Sequence, residues 1–588
     1  MSFGKAFLSS CLCALTAMVV FFLLTFLFFT ALVAGLSDDK QVVVEDNSVL
    51  HLELDAQVTE LEVDDPLAGL PFPGQQKRIG LIQLKQAIDD ARQNDNIEGV
   101  YVEIRQPLTG FSSLEEIRRS LLDFRESGKW VVAYSEVMTE GAYYLASAAD
   151  EVYLHPEGEM EFNGLSVSIG FYKKLLDKLE IKPQVFRVGE FKSAVEPFLL
   201  EELSKENRLQ LTEMVNGIYD NILDNVAESR GIDRTRLEEI SDQMLVRNAD
   251  DALELKLVDG LLYQDEFHNV IREKLSIPED EDIRFVKYKD YRKSFSTYKR
   301  SPNEVAVIVA EGTIVQGEGS QSDLEITAEK YVKEIRKARK NDNVKAIVLR
   351  VNSPGGAYTT SDMIWREVKL AAAEKPVIAS MSDYAASGGY YIAMACDTIV
   401  AQPNTITGSI GIFGVMFDMS SFLGNKLGVT FDEVRTGDFG DLYTVTRPLT
   451  PAERNIIQRN LEKYYDSFTA KAAEGRSVSQ EQILRVASGR VWTGQQALEH
   501  KLVDVLGGID DAIRIAAEKA NIADDYKVRY YPAPTTFIEQ LMKGLETSAR
   551  AGLVRQYVGD LYPMFERVRQ VKQYEGIQAR MPFEFEFH

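Results

Sequence analysis

A chain of 588 residues is longer than one hydrophobic core organises, and roughly 100–200 residues per domain implies several folded units. With 45% hydrophobic and 27% charged residues the composition is that of globular protein, and a formal charge of −24 argues against nucleic acid, whose phosphates need a basic surface. Cys11, Cys13 and Cys396 show no metal-ligand spacing, and none of the five histidines sits in a motif-like setting, so no cofactor and no histidine-based triad are expected.

In chain order, Ala6 to Leu36 is an uncharged apolar run between Lys5 and Asp38-Asp39. About 20 apolar residues span a bilayer, whereas a secretory signal carries only about 7–15. The expectation is an uncleaved transmembrane anchor over 1–37, with Lys5 on the cytoplasmic side and the remaining chain outside.

The rest of the chain repeats itself. Asn94-Asp-Asn-Ile-Glu-Gly-Val-Tyr-Val returns 247 positions on (94 to 341) as Asn341-Asp-Asn-Val-Lys-Ala-Ile-Val-Leu. At the same offset Tyr143-Tyr-Leu-Ala-Ser-Ala-Ala-Asp returns as Tyr390-Tyr-Ile-Ala-Met-Ala-Cys-Asp, and with the spacing nearly kept Leu255-Lys-Leu-Val-Asp answers to His500-Lys-Leu-Val-Asp. Two related domains follow, over 47–265 and 303–522, joined by a charged, tyrosine-rich linker at 266–302. A tail, 523–588, carries amphipathic stretches at Phe537 to Leu553 and Tyr557 to Val571.

Within the second repeat an apolar strand (Val305 to Val309) leads to a charged amphipathic helix (Ala328 to Lys340). A second strand (Ala346 to Val351), another helix and a third strand ending near Ser382 follow. Strands alternating with helices give an α/β fold with mainly parallel pairing, and chemistry in such sheets collects beyond the strand carboxyl ends. Two segments occupy that position: Asn352-Ser-Pro-Gly-Gly-Ala and Asp383-Tyr-Ala-Ala-Ser-Gly-Gly-Tyr-Tyr.

Ser387, at a strand-to-helix turn between small residues, suits a nucleophile and equally suits a helix cap. The Gly356 and Gly388 N–H groups could converge on the oxygen of a tetrahedral intermediate; a tight turn would use the same glycines. For a base, the repeats are informative. Arg187-Val-Gly-Glu-Phe-Lys answers to Arg435-Thr-Gly-Asp-Phe-Gly, so Lys192 faces Gly440, while Ser387 faces Glu140. The first repeat has the lysine without the serine and the second the reverse, which suggests one composite site. Free lysine has a pKa of about 10.4 and needs desolvation to act as a base; Phe191, Ala194, Val195, Pro197 and Phe198 could supply it. A surface lysine with a snorkelling stem is the plain alternative.

Taken together, Val351-Asn-Ser-Pro-Gly-Gly, Ala385-Ala-Ser-Gly-Gly-Tyr, Thr407-Gly-Ser-Ile-Gly-Ile-Phe-Gly, Arg187 to Phe198 and Val491-Trp-Thr-Gly-Gln-Gln-Ala resemble signal peptide peptidase A in its long, tandem-repeat form. The resemblance implies two Clp-protease/crotonase-like domains after an N-terminal transmembrane helix. It also implies a Ser-Lys dyad of Ser387 (nucleophile) and Lys192 (general base), with Ser409 orienting the lysine and Gly356 and Gly388 forming the oxyanion hole. It further implies signal peptides and other apolar peptides as substrates, the membrane as a partner and a homotetramer. The implied location is the bacterial inner membrane, with the catalytic domains extracytoplasmic. Two other functions are compatible with such a scaffold: an acyl-CoA enzyme of crotonase type, and a membrane scaffold with reduced catalysis.

Overall fold

The computed structural model describes residues 15–25, 42–62, 78–105, 107–296, 299–319, 324–532 and 576–581. Val305-Ala-Val-Ile-Val-Ala is apolar at every position, and its strand, Glu304–Glu311, is buried along nearly its whole length, as parallel strands covered on both faces are. It pairs in parallel with Val344–Ser353, which pairs in parallel with Val377–Ala386. The first repeat builds the same arrangement from Ser48–Leu54, Ile97–Ile104, Trp130–Met138 and Glu151–Met160, again all parallel. Among the further parallel strands each sheet gains is one at its end that no apolar run announces. Arg284–Lys287, within 266–302, joins the first, and Lys527–Tyr531, within 523–588, joins the second.

A third, six-stranded sheet ties the two halves of the chain together. Lys182–Val188 from the first half runs antiparallel to Ile412–Asp418 from the second over seven residue pairs, Val188 opposite Ile412 through Lys182 opposite Asp418. On the other side of Ile412–Asp418 lies Gly576–Arg580, which in turn pairs with Gly355–Ala357. The cores also interlock. Ile82 of the first half packs among Val305, Val307 and Ile378 of the second, and Phe186 lies in the cluster around Tyr390 and Tyr391.

Between the halves is a buried ionic junction. Arg350, fully buried on Val344–Ser353, donates from Nε to Glu60 Oε2 (2.7 Å), meets Glu116 Oε1 at 2.7 Å, and donates to the hydroxyls of Ser380 and Ser382. Glu116 also holds Lys85 Nζ at 2.6 Å, and Lys85 reaches Asp510 at 2.8 Å. Burial alone would raise the Glu116 carboxyl, but Arg350 and Lys85 outweigh it and bring it down to about 2. Nearby, Glu311 accepts from the Glu60 N–H; burial and then the Glu60 carboxylate push its carboxyl up to about 8.

The N-terminal expectation is corrected. Within the apolar run at 6–36 the structure describes residues 15–25, which are helical. Among the described residues no helix is long and apolar enough to cross a membrane. The transmembrane helix in the fold, the membrane anchor in the function, the membrane as a partner and the single-pass inner-membrane location with extracytoplasmic domains are withdrawn with it. The flanking residues 1–14 and 26–41, and the amphipathic stretches at 537–553 and 557–571, lie outside the described residues.

Two outcomes follow from the junction. Arg350→Met leaves the buried Glu60 carboxylate without its cation and Glu116 with Lys85 alone, and urea denaturation should read a loss of about 3–5 kcal/mol. Glu311 holds its proton in the folded state up to about pH 8 but releases it near 4.5 when unfolded, so its contribution to stability is present below pH 4.5 and is lost as pH rises through 8. Glu311→Gln should therefore melt at the wild-type temperature at pH 5 and several degrees above wild type at pH 9, read by differential scanning calorimetry.

Candidate active site

The strand Val377–Ala386 ends in two small residues, and the short helix Gly388–Ala393 begins at once, so the turn between them is a single residue, Ser387. It has φ 55° and ψ −110°, a conformation that costs a non-glycine residue of order 1–3 kcal/mol and persists only where surroundings enforce it. Its N–H donates to Gly408 O at 2.8 Å and its carbonyl accepts from Tyr391 N at 2.8 Å, which pins both sides of the turn.

Lys192 arrives from the other half. The strand Lys182–Val188 delivers the chain to Gly189, at φ 111°, where a Cβ would stand 2.4 Å from Ser488 O. Phe191 N then donates to Ser488 O, and Lys192 N to Gly189 O. The lysine stem passes Gly411 and Gly489, where a Cβ would meet Lys192 Cδ at 3.1 Å and Lys192 Cβ at 2.7 Å. Its amine ends 2.8 Å from Ser387 Oγ, 3.0 Å from Ser409 Oγ and 3.0 Å from Ser409 O. Lys192, Ser387 and Ser409 are all fully buried. Desolvation holds the lysine pKa well below its ordinary value.

Among the described residues no carboxylate opposes that shift. Glu190 is exposed, and Glu196 accepts from Ser204 Oγ at 2.6 Å and from Asn207 Nδ2 at 2.9 Å, away from the amine. Ser409, itself at positive φ, is held by its N–H to Arg490 O at 2.7 Å.

The two glycines converge on the same place. A Cβ built on Gly388 would stand 3.1 Å from Gly356 N, and one on Gly355 would stand 2.7 Å from Gly388 N. Gly356 admits no side chain of its own, since a Cβ there would meet Ile314 O at 1.9 Å. All five residues singled out in the sequence, Ser387, Lys192, Ser409, Gly356 and Gly388, therefore lie in one cluster.

Two positioning residues escaped the sequence. Gln210, buried on the helix Lys205–Arg230, donates to Phe191 O (3.1 Å) and Ser193 Oγ (2.9 Å) and accepts from Val491 N (3.2 Å), tying the lysine loop to the second half. Asp383, on the serine strand, accepts from Ser113 N (2.9 Å) and Ser113 Oγ (2.7 Å) of the first half. Gln210 stands in no recognisable pattern, and Asp383 heads the Asp383 to Tyr391 segment without a sign of its role there; their most distant partners, Val491 and Thr109, lie 281 and 274 residues away.

Residues 123–277 and 369–523 match the model of Peptidase family S49, and residues 299–407 match that of Clp protease. The chain is 35% identical over 546 residues to "Serine protease SPPA, chloroplastic" of Arabidopsis thaliana, covering 92% of this chain and 78% of that one. It is 37% identical over 484 residues to "Protease 4" of Salmonella typhi, covering 80% and 77%. "Protease 4" of Haemophilus influenzae is 31% identical over 539 residues, covering 88% and 87%. Both repeats are matched by one peptidase model and these relatives align along most of the chain: the protein belongs to peptidase family S49, as a serine protease of the signal peptide peptidase A type.

Proposed function

We propose that the protein hydrolyses peptide bonds through a dyad of Ser387 and Lys192. The observation that carries this reading is the 2.8 Å contact between Lys192 Nζ and Ser387 Oγ, at an amine whose pKa desolvation holds well below its ordinary value. A neutral amine has a lone pair with which to take the Ser387 proton as Oγ attacks a peptide carbonyl. The Gly356 and Gly388 N–H groups stabilise the oxygen of the tetrahedral intermediate. Its collapse breaks the C–N bond, the lysine proton passes to the leaving amine, and water, deprotonated by the same lysine, releases the acyl group from Ser387. Ser409 holds the amine through its hydroxyl and carbonyl oxygens while the proton moves.

Labelling with a fluorophosphonate probe and hydrolysis of a fluorogenic peptide test the roles together. Ser387→Ala should abolish both, and Lys192→Ala should lower the acylation rate by about 10²–10⁴-fold, the usual span of general acid–base catalysis. Either variant keeping wild-type rates overturns the dyad.

The pH dependence carries its own sign. Protonated Lys192 cannot accept the serine proton, so the acylation rate should rise with pH and level off well below the ordinary lysine range. Stopped-flow labelling from pH 5 to 10 measures it; a flat profile removes Lys192 from the proton transfer.

A further inference from the structure

The serine turn runs into Tyr390-Tyr391, a pair that the first repeat also carries as Tyr143-Tyr144. Tyr391 is fully buried on the helix Gly388–Ala393, and its N–H donates to Ser387 O at 2.8 Å. A buried phenol needs a partner for its hydroxyl. That of Tyr391 donates to Asp362 Oδ1 at 2.7 Å, on the helix Tyr358–Ala372, which starts directly after the strand Gly355–Ala357. Lys471 Nζ, from the helix Pro451–Gly475, pairs with the same carboxylate, donates to the Tyr391 hydroxyl at 3.1 Å and stands 4.1 Å from the centre of the Trp365 ring. Burial, then Tyr358 and Asp362, push the pKa of the Tyr391 hydroxyl up, so it keeps its proton and remains a donor.

The bond from Tyr391 to Asp362 joins the two elements whose amides face the oxyanion in the proposed mechanism. Gly388 is the first residue of one helix, and Gly356 lies two residues before the other. The helix Gly388–Ala393 has six residues, under two turns, so its direction is set by the groups that its side chains meet. A second contact ties the same pair of elements at the site itself. A Cβ on Gly388 would stand 2.7 Å from Ser361 Oγ, and that hydroxyl donates to Ala357 O at 3.0 Å.

The first repeat supplies the comparison. Tyr144, 247 positions before Tyr391, is equally buried, and the same offset sets Glu115 against Asp362. The helices Lys205–Arg230 and Pro451–Gly475, aligned on Leu203-Ser204 and Leu449-Thr450 at an offset of 246, set Asn225 against Lys471. Asn225 Nδ2 donates to Tyr144 Oη at 3.1 Å, so the polar contact is kept. Glu115, however, is turned to Asn221 and Asn404, and a neutral amide stands in the place of Lys471. Arg118 lies over the Tyr144 ring at 5.2 Å but donates to Tyr144 O, Ser147 Oγ and Asn225 O. The ion pair at the tyrosine hydroxyl thus accompanies Ser387 and not Glu140. We infer that Asp362, paired with Lys471, is a positioning residue for peptide hydrolysis: through the Tyr391 hydroxyl it holds the helix bearing Gly388 against the strand bearing Gly356 and sets the spacing of the two oxyanion donors. The inference rests on the dyad reading and adds to it what fixes the oxyanion geometry.

Steady-state hydrolysis of a fluorogenic peptide is the test. Removing a whole oxyanion donor costs about 10²–10³ in kcat; a displaced one costs less, so Tyr391→Phe and Asp362→Ala should each lower kcat about tenfold with KM unchanged. Asp362 is half-buried and its replacement leaves the core packed, which keeps the inference testable even if Tyr391→Phe fails to fold. A peptide aldehyde, which becomes tetrahedral on the serine, should bind both variants about tenfold more weakly, whereas the matching peptide alcohol should bind as it does to wild type. A merely structural loss would weaken the two alike. Tyr144→Phe, the counterpart outside the site, should keep the wild-type kcat. Wild-type kcat in Asp362→Ala, an equal weakening of aldehyde and alcohol, or the same fall in Tyr144→Phe overturns the inference. Failure of the dyad reading has a different signature, since Ser387→Ala would then keep hydrolysing peptide.

Discussion

The proposed site depends on burying one lysine amine where nothing counters the fall in its pKa. Lys85 makes the requirement plain, because it is the same side chain at comparable burial with the opposite outcome. Desolvation would lower its pKa, but Glu116 at 2.6 Å and Asp510 at 2.8 Å outweigh that and hold the charged form. At Lys192 desolvation acts alone, and the amine meets only hydroxyl and carbonyl oxygens. What separates a structural cation from a potential base here is the absence of a carboxylate within reach. Glu196 lies only four positions away in sequence, and its turn toward Ser204 and Asn207 is therefore as much a part of the site as the lysine itself.

That environment exists only while the two halves stay in register. Lys192 comes from the first half and Ser387 from the second, so a slide of one half over the other would break the 2.8 Å contact directly. Four sets of contacts oppose such a slide. They are the seven-pair ladder between Lys182–Val188 and Ile412–Asp418, the Gln210 bridge, the Asp383 link to Ser113, and the Arg350 junction. Arg350 lies on the strand beside the serine strand, and through Ser380 and Ser382 it holds that strand as well as Glu60 and Glu116. A buried ionic cluster often adds little net stability over apolar packing, but it penalises every arrangement in which its charges part company.

Much of this could be read from the residues because the repeat exposes what each half lacks. Apolar runs such as Val305 to Ala310 disclosed the central strands, and the mismatch of Lys192 with Gly440 and of Ser387 with Glu140 pointed to a shared site. Contacts made across hundreds of residues left no local trace. Gln210 occupies an ordinary helical position, and Arg350 in a strand gives no hint that its partners are Glu60 and Glu116. Gly576–Arg580 is too short and polar for periodicity to find; it becomes a strand because two neighbouring strands offer it backbone on both sides. Arg284–Lys287 and Lys527–Tyr531 are short and charged for the same reason that they were missed: each sits at the end of its sheet, where little needs burying. The apolar run at 6–36 illustrates the converse, since composition alone suggested a length of helix that the described residues do not contain.

Glu140 explains why the first repeat cannot host a second copy of the site. It stands where the second repeat has Ser387, nearly buried, and one of its oxygens accepts from Asn163 N and Gly164 N, each at 3.1 Å. Burial, opposed in part by those two donors and by the Tyr219 hydroxyl, raises its carboxyl to about 7. With a carboxyl in this position, engaged by two backbone donors, the first repeat lacks the hydroxyl that the second carries at Ser387. The lysine loop of the first repeat is correspondingly turned to the other half, while its counterpart around Gly440 is exposed and ends in no amine. The two stretches that match one family model thus differ in the groups they carry, Lys192 and Glu140 in the first against Gly440 and Ser387 in the second.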